Sequence, residues 1–116
     1  MNALRPNQLT AWLEQVSAEL PPGVLPVVLD VREAWELQTA SVKPQGFELV
    51  HMPMHTIPAR LQDLPRDRPI ACLCHHGGRS AQVTQFLNNQ GFDQALNIAG
   101  GINAWAIELD TSVPRY

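Results

Sequence analysis

The 116-residue sequence is poor in cysteine, in basic residues and in long apolar runs, and each shortage excludes a class of protein. Eight lysines and arginines against eleven acidic residues give a net charge of −3, which argues against binding nucleic acid or an anionic membrane surface. No run approaches the ~20 apolar residues that cross a bilayer. The first residues, MNALRPNQLTAW, lack the apolar core of a signal peptide, so we expect a cytoplasmic protein.

The two cysteines, Cys72 and Cys74, are separated by a single residue. Such close cysteines make a poor disulfide framework, and a cytoplasmic location would keep them reduced. Their remaining roles are a reactive thiol, a metal ligand or a buried apolar residue. The length suits one domain with a core of moderate size, so we expect residues 1–116 to form a single domain.

Short apolar runs rich in β-branched residues alternate with segments of helical periodicity along the whole chain. We predict helices over about 7–20, 32–40 and about 79–90, a short helix around 57–64 and a last helix around 102–109. Strands are predicted to end near residue 30 and to lie within 47–52, 69–74 and 93–101. Gly91 is expected in a left-handed helix cap, and Trp12, Trp35 and Trp105 as core or helix-packing anchors. This alternation predicts an α/β fold, a small parallel sheet with helices on both faces.

The segment CHHGGRS, residues 74–80, joins a predicted strand to a predicted helix. Gly77 and Gly78 allow positive φ, so the backbone can curl with its N–H groups pointing inward. The helix N-terminus and Arg79 add positive charge, and these conditions favour both a cysteine thiolate and a bound oxyanion. The segment therefore predicts an anion-cradling loop around a nucleophilic Cys74. A plain strand–turn–helix junction with a buried cysteine is the alternative.

Two separate motifs resemble the rhodanese family of sulfurtransferases. CHHGGRS and the following AQVTQFLNNQGFDQALNIAGGINAWA resemble its active-site loop, helix and closing segment, and VLDVREAWE resembles its first marker. The likeness runs from about Val27 to Trp105 and is specific because both motifs occur in the right order. One departure is GFELVHMPMHTIP, which keeps His51 and Pro53 but not the flanking glycines that many members carry. That departure concerns the rim of the pocket and leaves the cysteine loop intact.

The resemblance implies a sulfurtransferase of the thiosulfate type that uses no cofactor or metal. Cys74 would take a sulfane sulfur from a small anionic donor such as thiosulfate and hold it as a persulfide. It would then pass the sulfur to cyanide, a thiol or a protein acceptor. Donor and persulfide would be bound by the loop residues His75, His76, Gly77, Gly78, Arg79 and Ser80, with Arg79 attracting the donor. We expect Asp30 and Arg32 to brace the loop by an ion pair, with a direct role at the substrate as the alternative.

Three other functions stay open. Cysteine-dependent phosphatases place five residues between cysteine and arginine, whereas Cys74 and Arg79 have four between them. A metal site would draw on the soft ligands of the chain, which are Cys72, Cys74, His75, His76, His51 and His55. Their spacing matches no usual zinc pattern. The third is a persulfide carrier without free turnover, or a partner-binding module of the same family.

Within the loop region, the simplest roles of three residues are structural. Cys72 is expected to face the same side of the strand as Cys74 and to fill the core, with a resolving thiol as the alternative. His75 and His76 are read as polar loop residues, with steering of donor or acceptor as the alternative.

Overall fold

The computed structural model describes residues 2–116, and within them five parallel strands are flanked by four α-helices. The strands are Ala3–Leu4 (β1), Val27–Asp30 (β2), Glu48–His51 (β3), Ile70–Leu73 (β4) and Ala95–Ile98 (β5). The α-helices are Leu9–Ser17 (α1), Ala34–Thr39 (α2), Gly78–Asn89 (α3) and Gly101–Glu108 (α4). Short 3-10 helices cover Pro6–Gln8, Met54–Thr56 and Pro58–Asp63.

The sheet has the strand order β1-β5-β4-β2-β3, so β2 and β4 lie near its centre. Every residue of these two strands is buried, which agrees with their continuous apolar sequences. Alternate residues face opposite sides of the sheet. One side packs on α1 and α4, through core residues that include Val28, Leu73, Leu9, Ile102 and Trp105. The other packs on α3, through Leu29, Cys72, Val83 and Leu87 among others. The predicted α/β architecture with helices on both faces is confirmed.

The register of the sheet brings the two sequence motifs together. Asp30, the last residue of β2, pairs with Leu73, the last residue of β4, and the N–H of Val31 donates to the carbonyl of Leu73 at 2.9 Å. Cys74 follows Leu73 directly. Because the strands are parallel and adjacent, Asp30 and Cys74 lie together at the carboxyl ends of the strands. Binding sites of α/β sheets form at these ends.

Three elements differ from the sequence prediction. Strand β1 was not predicted, because its two residues carry no pattern; it pairs with β5 through Ala3 and Leu4. The helix predicted over about 7–20 begins as a 3-10 turn and ends its α-helical part at Ser17. The short helix around 57–64 is a 3-10 helix, interrupted by the non-helical backbone of Arg60.

The tryptophans differ in burial. Trp105 is 3% exposed and Trp12 is half-buried against the same core, as predicted. Trp35 was predicted as an anchor, and this is wrong: it lies on the outer face of α2 and is 62% exposed. Gly91 has φ of +91° two residues after the last residue of α3, which confirms the predicted left-handed cap. None of the helices in residues 2–116 is both long and apolar enough to cross a membrane.

Candidate active site

Cys74 sits at the start of a tight loop between β4 and α3 and is only 1% exposed. The carbonyl groups of Cys74 and His75 accept hydrogen bonds from the N–H groups of Ile102 and Asn103, at 2.8 and 3.1 Å. These donors belong to the first turn of α4, where N–H groups have no partner within the helix. The loop carbonyls are therefore held on the α4 side, which leaves the loop N–H groups free to face the sulfur.

Two of those N–H groups reach the sulfur itself. Of the loop amides from His75 to Ser80, those of Gly77 and Ser80 donate to Sγ of Cys74, at 3.1 and 3.3 Å. Oγ of Ser80 lies 3.2 Å from the same atom. The sulfur thus receives donors from the loop and from the first turn of α3, an arrangement that stabilises a negative charge on it.

The two loop glycines, Gly77 and Gly78, differ in backbone conformation and in the space around them. Gly77 has φ of +102°, and a Cβ atom built on it would lie 2.9 Å from the backbone nitrogen of Gly100. Both the turn and the close approach therefore require glycine at this position. Gly78 was also expected to allow a positive φ, but it is the first residue of α3 with a helical backbone and open space around it. Only one of the two glycines is needed for the curl of the loop.

Arg79 is paired with a buried acid. Its guanidinium donates to both carboxylate oxygens of Glu36 on α2, at 2.7 and 2.8 Å. Glu36 is 3% exposed, and these hydrogen bonds lower its pKa to about 2. The same hydrogen bonds raise the pKa of Arg79 above its ordinary value. The charge that was expected to attract a donor is therefore present but largely offset by its neighbour.

Asp30 and Arg32 form a fully buried ion pair at the end of β2. Two guanidinium nitrogens of Arg32 donate to the two oxygens of Asp30, at 2.9 and 2.8 Å. Arg32 also donates to the carbonyl groups of Glu36 and Ala40. The pair thus fastens the last turn of α2 to the sheet, and its link to the cysteine loop runs through Glu36 and Arg79.

Tyr116 covers one side of the loop. Its ring stacks on His75 with centroids 3.8 Å apart, and Nε2 of His75 lies 2.6 Å from the backbone oxygen of Tyr116. The Tyr116 hydroxyl accepts from Arg32 at 2.9 Å and donates to Glu36 at 2.8 Å. Burial under this ring lowers the pKa of His75. His75 is therefore turned towards Tyr116, while His76 lies exposed beside it.

Cys72 is completely buried two residues before Cys74. Burial raises the pKa of its thiol to about 12, so it stays protonated at neutral pH and suits the core. Within residues 2–116, no group of three or more His, Cys, Asp or Glu side chains is arranged to hold a metal ion. His51, one of the possible ligands, instead contacts the carbonyl of Arg32 through Nε2, at 2.7 Å.

An open groove runs beside the loop on the Arg79 side. It is lined by Val31, Glu33, Met54, His55 and Arg79. The segment after β3 that lacks the expected glycines supplies Met54 and His55, so the departure noted in the sequence forms one wall of this groove.

Three residues at the site were missed by the sequence analysis. Glu36 was visible only as one of several acids in a helix, and Tyr116 carried no signal because it lies far from both motifs. Asn97 on β5 accepts from Oγ of Ser80 at 2.5 Å and was seen only as part of a strand. The polar residue at 97 inside a buried apolar run was the one available hint.

Comparison with known proteins points to one family. The model of the rhodanese-like domain family matches residues 6–108. A sulfurtransferase from Allochromatium vinosum is 36% identical over 93 residues, which cover 80% of this chain and 83% of that protein. The maize adenylyltransferase and sulfurtransferase MOCS3-1 is 30% identical over 78% of this chain but only 20% of its own length.

Solved structures show the same architecture. The crystal structure of a rhodanese-related protein from Thermoplasma volcanium superposes with a TM-score of 0.75 at 27% identity, covering 94% of both chains. The family model spans both the strand that ends at Asp30 and the loop that begins at Cys74. This chain belongs to the rhodanese-like domain family, whose relatives include sulfurtransferases.

Proposed function

We propose that the protein is a sulfurtransferase that carries a sulfane sulfur as a persulfide on Cys74. The observation that carries the proposal is the pair of backbone N–H groups that donate to Sγ of Cys74, from Gly77 in the loop and from Ser80 in the first turn of α3. Such donors favour both the attacking thiolate and the charged persulfide that follows it. Membership in a family with named sulfurtransferases supports the same chemistry.

The reaction proceeds in two displacements at sulfur. The Cys74 thiolate attacks the sulfane sulfur of thiosulfate, the new S–S bond forms, and the old S–S bond breaks with its electron pair leaving on sulfite. Cyanide or a thiolate then attacks the outer sulfur of the persulfide and returns Cys74 to the thiolate. No electrons are gained or lost overall, so the cycle needs neither a redox partner nor a cofactor.

The remaining loop residues have supporting roles in this proposal. The N–H groups of Gly77 and Ser80 hold the charge on sulfur, and Arg79 meets the anionic donor at the groove while it remains tied to Glu36. The Asp30–Arg32 pair holds α2, and through it Glu36, in place. His75 and His76 shape the rim beside Tyr116. A reducing compartment such as the cytoplasm would keep Cys74 available.

Mass spectrometry of the intact protein tests the proposal directly. Thiosulfate should add one sulfur atom to the protein, cyanide should remove it, and the loaded protein should resist alkylation of Cys74 by iodoacetamide. Absence of any added sulfur, together with a Cys74 that reacts only above about pH 8, would contradict the proposal. In that case a partner-binding module would be the better description.

A persulfide carrier without free turnover is the second candidate. It is favoured by the maize relative, in which the matching region is only a fifth of a larger protein with a second named activity. Both candidates need the same loop, so turnover separates them. A free enzyme converts thiosulfate and cyanide repeatedly, whereas a carrier accepts one sulfur and releases it fast only to a protein thiol. A phosphatase is less supported, because the loop is one residue shorter and its arginine is paired with Glu36.

A further inference from the structure

The hydroxyl group of Ser80 lies between two atoms that both compete for it. Its Oγ is 3.2 Å from Sγ of Cys74 and 2.5 Å from Oδ1 of Asn97. A serine hydroxyl has a single proton and therefore donates to only one of these atoms at a time. The choice between the two acceptors therefore affects whether Cys74 keeps its own proton.

The orientation of the Asn97 amide is fixed by a third group. Its Nδ2 donates to the carbonyl of Gly77 at 3.3 Å, and a carbonyl can only accept. Oδ1 must then face Ser80, and an amide oxygen also only accepts. Ser80 therefore gives its proton to Asn97 and turns a lone pair towards Cys74, which suits a protonated S–H and not a thiolate.

We propose that Asn97 is a positioning residue that acts through Ser80 to set the balance between thiol and thiolate at Cys74. When the thiol proton leaves to solvent, Ser80 turns its O–H to Sγ and Asn97 loses its donor. Forming the thiolate therefore breaks the Ser80–Asn97 hydrogen bond, and the free energy of that bond opposes ionisation of Cys74. The inference rests on the proposed function for its catalytic meaning, but it concerns the protonation of one sulfur and can be measured separately.

Other charged and titratable groups surround the loop from several elements. They are Cys72 on β4, Asp30 and Arg32 at the end of β2, Glu36 on α2, His75 and His76 in the loop, Arg79 on α3, and Tyr116 against His75. Arg79 is paired with Glu36 and Arg32 with Asp30, and Cys72 is a buried thiol. Cys72 is the register partner of Asn97 in the sheet, but the side-chain hydrogen bonds of Asn97 go to Ser80 and Gly77 and not to any of these groups. Substitutions at Asn97 therefore leave the two ion pairs intact.

The test compares two substitutions of similar size at this position, Asn97→Leu and Asn97→Asp. Both lose the hydrogen bond to the carbonyl of Gly77. Leucine releases the Ser80 proton to Sγ, so the midpoint of the pH profile for iodoacetamide alkylation of Cys74 should fall by about one pH unit. Aspartate accepts that proton more strongly, so the midpoint should rise. A role in anchoring the loop alone would move both variants in the same direction, and that result would overturn the proposal.

A Ser80→Ala background separates the hydroxyl from the added charge of aspartate. Without the hydroxyl, Asn97→Leu should hardly move the midpoint of the alkylation profile. Asn97→Asp should still raise the midpoint, but only by the amount that its negative charge causes. Equal shifts with and without Ser80 would overturn the proposal. If the leucine variant does not fold, the aspartate variant in the two backgrounds still decides the question by the same criterion.

The readout also distinguishes failure of this inference from failure of the proposed function. Suppose that the midpoint shifts in opposite directions in Asn97→Leu and Asn97→Asp while the protein never gains sulfur from thiosulfate. That result would support the role of Asn97 and contradict sulfur transfer. A protein that gains sulfur normally but shows no opposite shifts would contradict the role of Asn97 alone. Peptide mass spectrometry assigns the alkylation to Cys74, with buried Cys72 as the internal reference.

Discussion

Arg79 on α3 and Glu36 on α2 form an ion pair with two hydrogen bonds beside the cysteine loop, although they lie 43 residues apart in the chain. Arg79 is the second residue of α3, which follows the cysteine loop, and Glu36 lies on the inner face of α2. The pair therefore joins the two motifs that mark the family. In the proposed function, the charge of Arg79 is therefore shared between holding α2 and meeting the anionic donor.

Substitutions at the pair should change the KM for thiosulfate in opposite directions. Arg79→Ala removes the charge that assists an anionic donor and should lower kcat/KM by about ten- to a hundredfold. Glu36→Gln leaves Arg79 unpaired and should lower the KM. Steady-state kinetics with thiosulfate and cyanide checks both. The double variant controls for the carboxylate that Arg79→Ala leaves buried; an unchanged kcat/KM in it would give Arg79 a purely structural role.

The same pair should make stability depend on pH in the acidic range. Arg79 lowers the pKa of Glu36 from its ordinary 4.5 to about 2, so the folded state binds this proton less readily than the unfolded state. The ionised form therefore stabilises the fold fully above about pH 5, and this stability is lost as the pH falls towards 2. Because Arg79 is 37% exposed, solvent screening reduces the contribution to about 2 kcal/mol.

Urea unfolding of wild type and Glu36→Gln at several pH values measures this contribution. The wild type should be more stable near neutral pH, and the difference should shrink between about pH 5 and about pH 3. A difference that stays constant over this range would mean that the carboxylate does not titrate as its surroundings imply.

The two cysteines should respond very differently to substitution. Cys74→Ser removes the nucleophile and should abolish sulfur transfer, since a serine hydroxyl does not attack sulfane sulfur at neutral pH. Cys72→Ser should keep most of the activity, because burial raises the pKa of this thiol to about 12 and leaves it unreactive. Circular dichroism monitors the fold of both variants. Equal losses in two folded variants would instead favour a mechanism with two thiols.

The adjacent glycines provide a matched pair for the loop. Gly77→Ala places a methyl group 2.9 Å from the nitrogen of Gly100 at a φ of +102°, so it should cost at least about 2 kcal/mol and displace the amide that donates to Sγ. Gly78→Ala meets no atom within 4 Å and lies in a helix, so stability should hold or rise slightly. Thermal unfolding and the rate of persulfide formation check both. Similar losses at the two positions would show that the loop needs both glycines.

Local sequence was enough to predict most of the fold. Strands β2 and β4 are short, continuous apolar runs, and α3 carries a clear helical stripe closed by Gly91. The cysteine loop was recognisable because its glycines, its arginine and the helix that follows are neighbours in the chain. Such features depend on backbone preferences and on burial of one face, which a sequence pattern records directly.

The sequence predicted the burial and the backbone conformation of individual residues less reliably than it predicted the elements themselves. Trp35 was expected to be buried because tryptophan is large and apolar, but its position on α2 faces outward. Gly78 was expected to share the curl of the loop, but α3 begins one residue earlier than the pattern suggested. The short helix expected around residues 57–64 is present, but the proline at 58 and the short length of the segment favour the 3-10 form.

The amino-acid sequence by itself determined the class of fold, the identity of the cysteine loop and the resemblance to a family. Tertiary structure alone decided which groups surround the sulfur. Glu36, Asn97 and Tyr116 come from α2, β5 and the chain's last residue, and each reaches the loop by a side-chain hydrogen bond or ring contact. Contacts of this kind leave no periodicity in the sequence, because they depend on how distant elements pack and not on what any single element prefers.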